Sequence, residues 1–130
     1  MEREESQYPK DWFRVGDREI ERARNLLKLG DLEGAGFNIQ QAVEKYLKGY
    51  LLSKGWVLKR IHNLETLLNE AIGFDPSFEM YRAYCQKTTQ YYVEERYPFT
   101  IASMLNDAEI KESLSAAESI IIKIKALTGA

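Results

Sequence analysis

The sequence contains a single cysteine, Cys85, and a single histidine, His62. One cysteine excludes an intramolecular disulfide and favours a reducing, cytoplasmic setting. The two residues lie far apart in sequence, and the chain has neither paired Glu-x-x-His units nor clustered aspartates. Such a sequence lacks the usual ligand set of a metal centre. We therefore expect no structural or catalytic metal.

Long apolar runs and glycine-rich phosphate signatures are also missing. No stretch approaches the roughly 20 apolar residues that span a bilayer, and the charged N-terminus lacks the apolar segment of a signal peptide. The glycine patterns of phosphate loops and dinucleotide sites are absent as well. We expect an unexported protein without a membrane span and without a cofactor of these classes.

The overall composition is that of one globular domain. A chain of 130 residues with 45% hydrophobic content is long enough to bury one core. We expect a single domain over residues 1–130, with residues 1–8 frayed because they have little to bury. The net charge of −2 argues against a protein that coats nucleic acid through its overall charge. Residues 44–60, however, contain five basic residues and one acid, which allows a local basic patch.

Apolar residues recur at three- and four-residue spacing along the chain, which predicts helices and no sheet. Capping residues, glycines and prolines predict five helices: about 11–29, 32–53, a short one from His62 or Asn63 to Gly73, 75–95 and from Asn106 onward. The short connection at Gly30 and Asp31 predicts that the first two helices are antiparallel. The expected fold is an all-α, up-and-down bundle of four long helices and one short helix.

The second predicted helix has an apolar face and a polar stripe, which consists of Gln41, Glu44, Lys45 and Lys48. Gln40 lies at the border of the two faces. Amide and ammonium groups together bind phosphates and base edges. Glu44 and Lys48 also have the spacing of an ordinary helical ion pair, worth about 0.2–0.5 kcal/mol. The stripe is therefore either a ligand-binding surface or a plain solvated face.

Two further groups admit both a functional and a structural interpretation. In the segment TTQYYVEERYPFT, Arg96 can bind phosphate while Tyr92 or Tyr97 stacks on a base, or the arginine pairs with a neighbouring glutamate and the tyrosines are core residues. His62 is either a capping or surface histidine or a group that transfers a proton or contacts a ligand. Hydroxyl-bearing residues of the fourth helix also form one face: Tyr81, Tyr84, Thr88, Tyr91 and Tyr92, with Cys85 among them.

Three segments, taken in order, resemble the HEPN family (higher eukaryotes and prokaryotes nucleotide-binding domain). These are AGFNIQQAVEKYLKGYLLSKG, HNLETLL and YVEERYP. The resemblance extends over almost the whole chain and implies a helical bundle that forms a homodimer with a groove lined by both subunits. Small prokaryotic members similar to this chain often accompany a separate minimal nucleotidyltransferase, as a substrate-binding or toxin-antitoxin partner.

Many HEPN relatives are metal-independent ribonucleases with an arginine followed, after four to six residues, by a histidine. Here the seven residues after Arg96 contain no histidine, and Arg60 precedes His62 by only two positions. The missing imidazole argues against cleavage of this type, because that chemistry needs a group that handles the proton of the ribose hydroxyl. The resemblance still implies a phosphate contact by Arg96.

The sequence thus leaves three hypotheses of different kinds. The first is a homodimeric, non-enzymatic subunit that holds a nucleotide or an RNA end for a nucleotidyltransferase partner. It assigns phosphate or base contacts to the polar stripe, His62, Arg96, Tyr92 and Tyr97. The second is a divergent ribonuclease that uses His62 and Arg96. The third is an interaction protein whose tyrosine-rich face on the fourth helix binds a second copy or another partner.

Overall fold

The computed structural model describes residues 5–88 and 106–130, and this part of the chain is helical and contains no strand. The elements are α1 (Pro9–Lys28), α2 (Leu32–Ser53), α3 (Leu64–Phe74), a 3₁₀ segment (Pro76–Tyr81), α4 (residues 82–88 as far as described) and α5 (Asp107–Thr128). The predicted all-α fold and the order of five helices are confirmed. None of the described helices combines the length and low charge of a membrane span.

Helix starts in this chain are fixed by short polar side chains. Asp31, Asn63 and Asn106 each accept a hydrogen bond from a backbone amide in the first turn of the following helix, at 2.8–3.0 Å. These bonds satisfy amides that have no partner within the helix. Between α1 and α2, Gly30 adopts the left-handed conformation that reverses the chain (φ 80°). The observed bounds of α2, Leu32–Ser53, match the predicted ones at both ends.

The long helices run up and down around α2. Phe13 lies beside Gly49 and Gly16 lies beside Tyr46, so α1 and α2 are antiparallel. Ion pairs join Arg24 to Glu118 and Asp17 to Lys125, so α1 and α5 are antiparallel as well. Because α2 contacts α1, α3 and α5, it is the central helix of the bundle.

The start of the fourth predicted helix differs from expectation. Asp75 and Pro76 begin a helical segment as predicted, but its first six residues form a 3₁₀ helix before α4 begins. Side chains three residues apart eclipse in a 3₁₀ helix. The three-residue repeat turns both Phe78 and Tyr81 into the core, where they are 0% and 6% exposed. The predicted end near Glu95 lies outside the described residues.

Glycines allow close approach of α1 and α2. A Cβ atom on Gly16 would lie 2.5 Å from the Tyr46 ring, and one on Gly49 would lie 2.5 Å from the Phe13 ring. A glycine of each helix therefore packs against an aromatic ring of the other helix. The two rings stack with centroids 5.1 Å apart. For Gly49, this contact explains why a poor helix former occupies a helix interior.

Replacement of Gly49 by alanine should destabilise the fold. Because the ring lies only 2.5 Å from the new Cβ atom, the clash with Phe13 costs about 2–3 kcal/mol, the upper part of the range for overpacking, and the gain of about 1 kcal/mol in helix propensity offsets only part of it. We expect a net loss of about 1–2 kcal/mol in the free energy of unfolding, measured by urea denaturation. Gly73→Ala is the matched control, since no described residue outside its own helical turn comes within 4 Å of the position that its Cβ would take, and α3 should gain stability. Equal stability of the Gly49→Ala variant and wild type would contradict this packing role.

Candidate functional site

A buried carboxylate on α2 is the centre of the candidate site. The Glu44 side chain is 0% exposed, and its Oε2 atom lies 2.9 Å from Lys45 Nζ and 3.4 Å from Lys48 Nζ. The Nδ1 atom of His62, in the loop before α3, lies 3.2 Å from the same oxygen and 3.3 Å from Oε1. We call Glu44, Lys45, Lys48 and His62 the Glu44 cluster. Their arrangement brings together two ammonium groups and an imidazole around one carboxylate.

The structure corrects the picture of a polar stripe that faces away from the core. Glu44 and Lys48 are 0% and 1% exposed, and Gln40 at the border is 1% exposed. Lys45 remains accessible at 20% of its side chain, and Gln41 is half-buried. The reason is the central position of α2, whose polar face is covered by neighbouring parts of the chain instead of by solvent. The i,i+4 pair of Glu44 and Lys48 is therefore a buried ion pair.

Trp12 of α1 covers part of the cluster. Lys45 Nζ and Lys48 Nζ lie 5.8 and 5.3 Å from the centroid of its ring, within the range of cation–π attraction. The indole Nε1 donates to the backbone oxygen of Ser6 at 2.8 Å, which fixes the ring. The sequence analysis did not assign Trp12 to a site. Counting outward from the tight turn at Gly30 along two antiparallel helices would have placed it near Lys48.

Amide side chains connect the cluster to the loop before α3. Gln40 Nε2 donates to the backbone oxygen of His62 at 3.5 Å, and Gln41 Nε2 donates to Gln40 Oε1 at 2.9 Å. Lys45 Nζ donates to Gln41 Oε1 at 3.4 Å. The His62 side chain is 56% exposed, so it lies at the mouth of the cluster while its partner Glu44 lies inside. Gln41 thus supports Lys45 and lies next to the accessible groups.

The charges in the cluster do not cancel. Two ammonium groups face one carboxylate, which leaves an excess of one positive charge when His62 is neutral and more when it is protonated. Because Glu44 is enclosed by cations, its carboxylate supports their positions and does not itself offer a contact to phosphate. An open hollow of about 450 Å³ lies beside Lys45, and its lining also contains Trp12, Arg14 and the carboxylates of Glu5 and Asp11. The excess positive charge therefore belongs to the Glu44 cluster and not to the hollow as a whole.

Other predicted site residues are placed differently or not described. Arg96, Tyr92 and Tyr97 lie outside the described residues. On the hydroxyl-rich face of the fourth helix, Tyr81, Cys85 and Thr88 are buried in the core. The hypothesis that this face is a partner surface is therefore wrong for these three positions, while Tyr84 is half-buried. Desolvation by burial raises the pKa of the Cys85 thiol to about 12, so this cysteine is not an activated nucleophile.

Within residues 5–88 and 106–130, no three or more histidine, cysteine, aspartate or glutamate side chains come together in a way that could hold a metal ion. The Glu44 cluster contains one carboxylate and one imidazole, and its other charged groups are ammonium groups that repel cations.

Replacement of Glu44 by glutamine should destabilise the protein strongly. Lys48 would keep a buried charge without its counter-ion, and loss of one partner of a buried pair costs about 3–5 kcal/mol. Urea denaturation measures the change in the free energy of unfolding. The double variant Glu44→Gln with Lys48→Met should recover much of the loss, because it removes both charges. A Glu44→Gln protein as stable as wild type would show that the ion pair does not stabilise this structure.

Comparisons with known proteins agree with the helical architecture and the residue pattern. The model of the HEPN domain matches residues 9–127. TT1696 from Thermus thermophilus superposes with a TM-score of 0.78 at 26% identity, with 93% of this chain and 98% of that chain covered. ST0689, described as an archaeal HEPN homologue, superposes with a TM-score of 0.74 at 25% identity and the same coverage. A comparison with curated proteins gives no significant match. With a family match over almost its whole length and two solved structures of the same fold, this chain belongs to the HEPN family.

Proposed function

We propose that the protein is a non-enzymatic binding subunit that holds a nucleotide or an RNA end at the Glu44 cluster. The observation that carries the proposal is that two ammonium groups, those of Lys45 and Lys48, share the single buried carboxylate of Glu44. A phosphate group supplies the negative charge that the cluster lacks. Charge-assisted hydrogen bonds from ammonium and imidazolium groups to phosphate are among the stronger polar contacts in proteins.

The accessible and buried members of the cluster have different roles in this proposal. Lys45 and His62, at 20% and 56% side-chain exposure, contact the phosphate. Gln41 recognises a polar edge of the ligand beside them. Glu44 and Lys48 are too deeply buried to touch a ligand and instead fix the positions and the field of the outer groups. The sequence suggested that Glu44 and Lys48 contact the ligand directly. In this proposal they instead hold Lys45 and His62 in position.

The remaining parts of the proposal rest on the sequence and on the HEPN resemblance. Arg96 binds phosphate and Tyr92 or Tyr97 stacks on a base, from the segment outside the described residues. The protein acts as a cytoplasmic homodimer, with the ligand groove between subunits. Its partner is a separate minimal nucleotidyltransferase, with which it forms a pair of the toxin-antitoxin kind or a substrate-binding complex.

Titration with adenosine and cytidine mono- and triphosphates by calorimetry tests the binding proposal. Lys45→Gln and Arg96→Ala should each weaken binding by about tenfold or more, because hydrogen bonds to charged groups contribute about 1.5–3 kcal/mol. Lys59→Gln is the matched control, since it removes the same charge from the same basic stretch but Lys59 pairs with Glu70 outside the cluster. Absence of binding by wild type, or equal affinity of all variants, would refute the proposal.

The geometry of His62 favours a second candidate, a divergent metal-independent ribonuclease. Glu44 accepts a hydrogen bond from the Nδ1 atom of His62, which leaves Nε2 as the nitrogen that can take up a proton. A carboxylate that orients an imidazole in this way is typical of general acid–base sites. In this candidate Arg96 stabilises the charge on the phosphate while His62 handles the proton of the ribose hydroxyl.

Incubation of single-stranded RNA with the purified protein in the presence of EDTA tests the second candidate. Cleavage should persist in the chelator, fall at least a hundredfold in the His62→Ala variant and remain unchanged in Lys59→Gln. A general acid–base residue commonly contributes about 10²–10⁴ in rate, which sets the size of the expected loss. RNA that stays intact after long incubation with wild type would eliminate this candidate and leave the binding proposal in place.

A further inference from the structure

The hollow beside Lys45 contains as many carboxylates as cations. Two cations, Lys45 and Arg14, and two carboxylates, Glu5 and Asp11, lie in its lining. A simple anion in the hollow is attracted by the first pair and repelled by the second. The hollow is therefore matched to a ligand that carries a hydrogen-bond donor as well as a negative group.

The segment before α1 holds Glu5 at this hollow. The backbone oxygen of Ser6 accepts a hydrogen bond from Trp12 Nε1 at 2.8 Å. The Oγ atom of Ser6 donates to Asp11 at 2.6 Å and accepts from the backbone amide of Tyr8 at 3.0 Å. These three hydrogen bonds fix Ser6 against the first turn of α1, and Glu5, the preceding residue, thereby lies in the lining of the hollow.

The two carboxylates differ in the hydrogen-bonding capacity that they keep for a ligand. Asp11 accepts from Ser6 and lies 3.7 Å from Arg14. Glu5 forms no hydrogen bond or ion pair with any residue among 5–88 and 106–130. Because an ionised carboxylate only accepts hydrogen bonds and has two oxygens, Glu5 is the member of the pair that is free to accept from a ligand.

Apolar side chains complete the hollow. The buried Trp12 and the half-buried Val15 are part of its lining. A nucleotide base has apolar faces and a polar edge, so it packs against such side chains while its edge meets the polar groups beside them. The volume of about 450 Å³ lies in the range of roughly 300–1,000 Å³ that is usual for small-molecule sites. A mononucleotide is therefore a suitable occupant.

We propose that the hollow selects nucleotides whose base has an exocyclic amino group, and that Glu5 accepts a hydrogen bond from this group. The inference rests on the proposed function, in which the phosphate lies at Lys45, and it narrows the ligand by its base. The carboxylate repels every phosphate ligand, and only a base with a donor offsets this repulsion. Selectivity of this kind arises from a repulsive element as much as from an attractive one.

Titration calorimetry with adenosine monophosphate and purine riboside 5′-monophosphate tests the selectivity, because the two nucleotides differ only in the amino group. Adenosine monophosphate should bind about tenfold more tightly, as expected for one hydrogen bond to a charged acceptor. Phosphoethanolamine has a phosphate and an amine without a base, and it should bind at least tenfold more weakly than adenosine monophosphate. Equal affinity of adenosine monophosphate and either of the other two ligands would overturn the selectivity and leave the proposed function standing.

The Glu5→Ala variant tests the assignment of the acceptor. The preference for adenosine monophosphate over purine riboside monophosphate should disappear. Binding of the latter should become about twofold tighter, because a repelling charge is removed at a distance of several ångströms in water. Glu33→Ala is the matched control, since Glu33 is also exposed but lies in the first turn of α2, about 18 Å along the helix from Lys45. Circular dichroism melting verifies that both variants are folded.

The outcomes separate the selectivity from the proposed function. A preference for adenosine monophosphate that survives in Glu5→Ala would overturn the role of Glu5. An equal loss of preference in Glu33→Ala would show a general charge effect and overturn it as well. If both nucleotides bind wild type equally and both are weakened by Lys45→Gln, only the selectivity fails. If wild type binds neither nucleotide, the selectivity and the proposed function both fail.

Discussion

The buried ion pair between Glu44 and Lys48 is the constraint that organises the centre of this bundle. Helix α2 is covered by other helices on nearly all sides, and a charged side chain in such a position is costly unless it is paired and hydrogen-bonded. The pair lies 3.4 Å apart on one helix, and Lys45 and His62 add two more contacts to the same carboxylate. The loop before α3 supplies His62 to Glu44, and the first turn of α1 supplies Trp12 to Lys45 and Lys48.

Close approach of α1 makes this enclosure possible. The glycines at positions 16 and 49 let aromatic rings pass between the two helices, which brings Trp12 over the ammonium groups of Lys45 and Lys48. A wider separation would admit solvent to the polar face of α2 and reduce the field of the cluster. The packing of an apolar interface and the electrostatics of the site are therefore set by the same contacts.

Local signals in the sequence predicted the helices better than they predicted the site. Caps such as Asp31 and Asn106 act within one turn, so both helix starts were found from neighbouring residues alone. Burial of Glu44 depends on Trp12 and His62, which are distant in sequence, and a helical wheel of α2 contains no information about either. Amphipathic spacing also assumes that a polar face is solvated, which fails for a helix in the middle of a bundle. The 3₁₀ start before α4 was missed because caps specify where a helix begins but not its pitch.

The buried groups of the site fix the positions of its accessible groups. Glu44 holds Lys45 and His62 in place, yet it cannot neutralise all the positive charge around it. A cluster with equal positive and negative charge would stabilise the fold but would not attract an anionic ligand. A cluster of cations without the carboxylate would not keep its geometry, because the cations would repel one another. One buried carboxylate among three basic groups satisfies both demands, since it fixes their geometry and leaves a net field. In the proposed function, this field attracts a phosphate, and the fixed positions of Lys45 and His62 orient it.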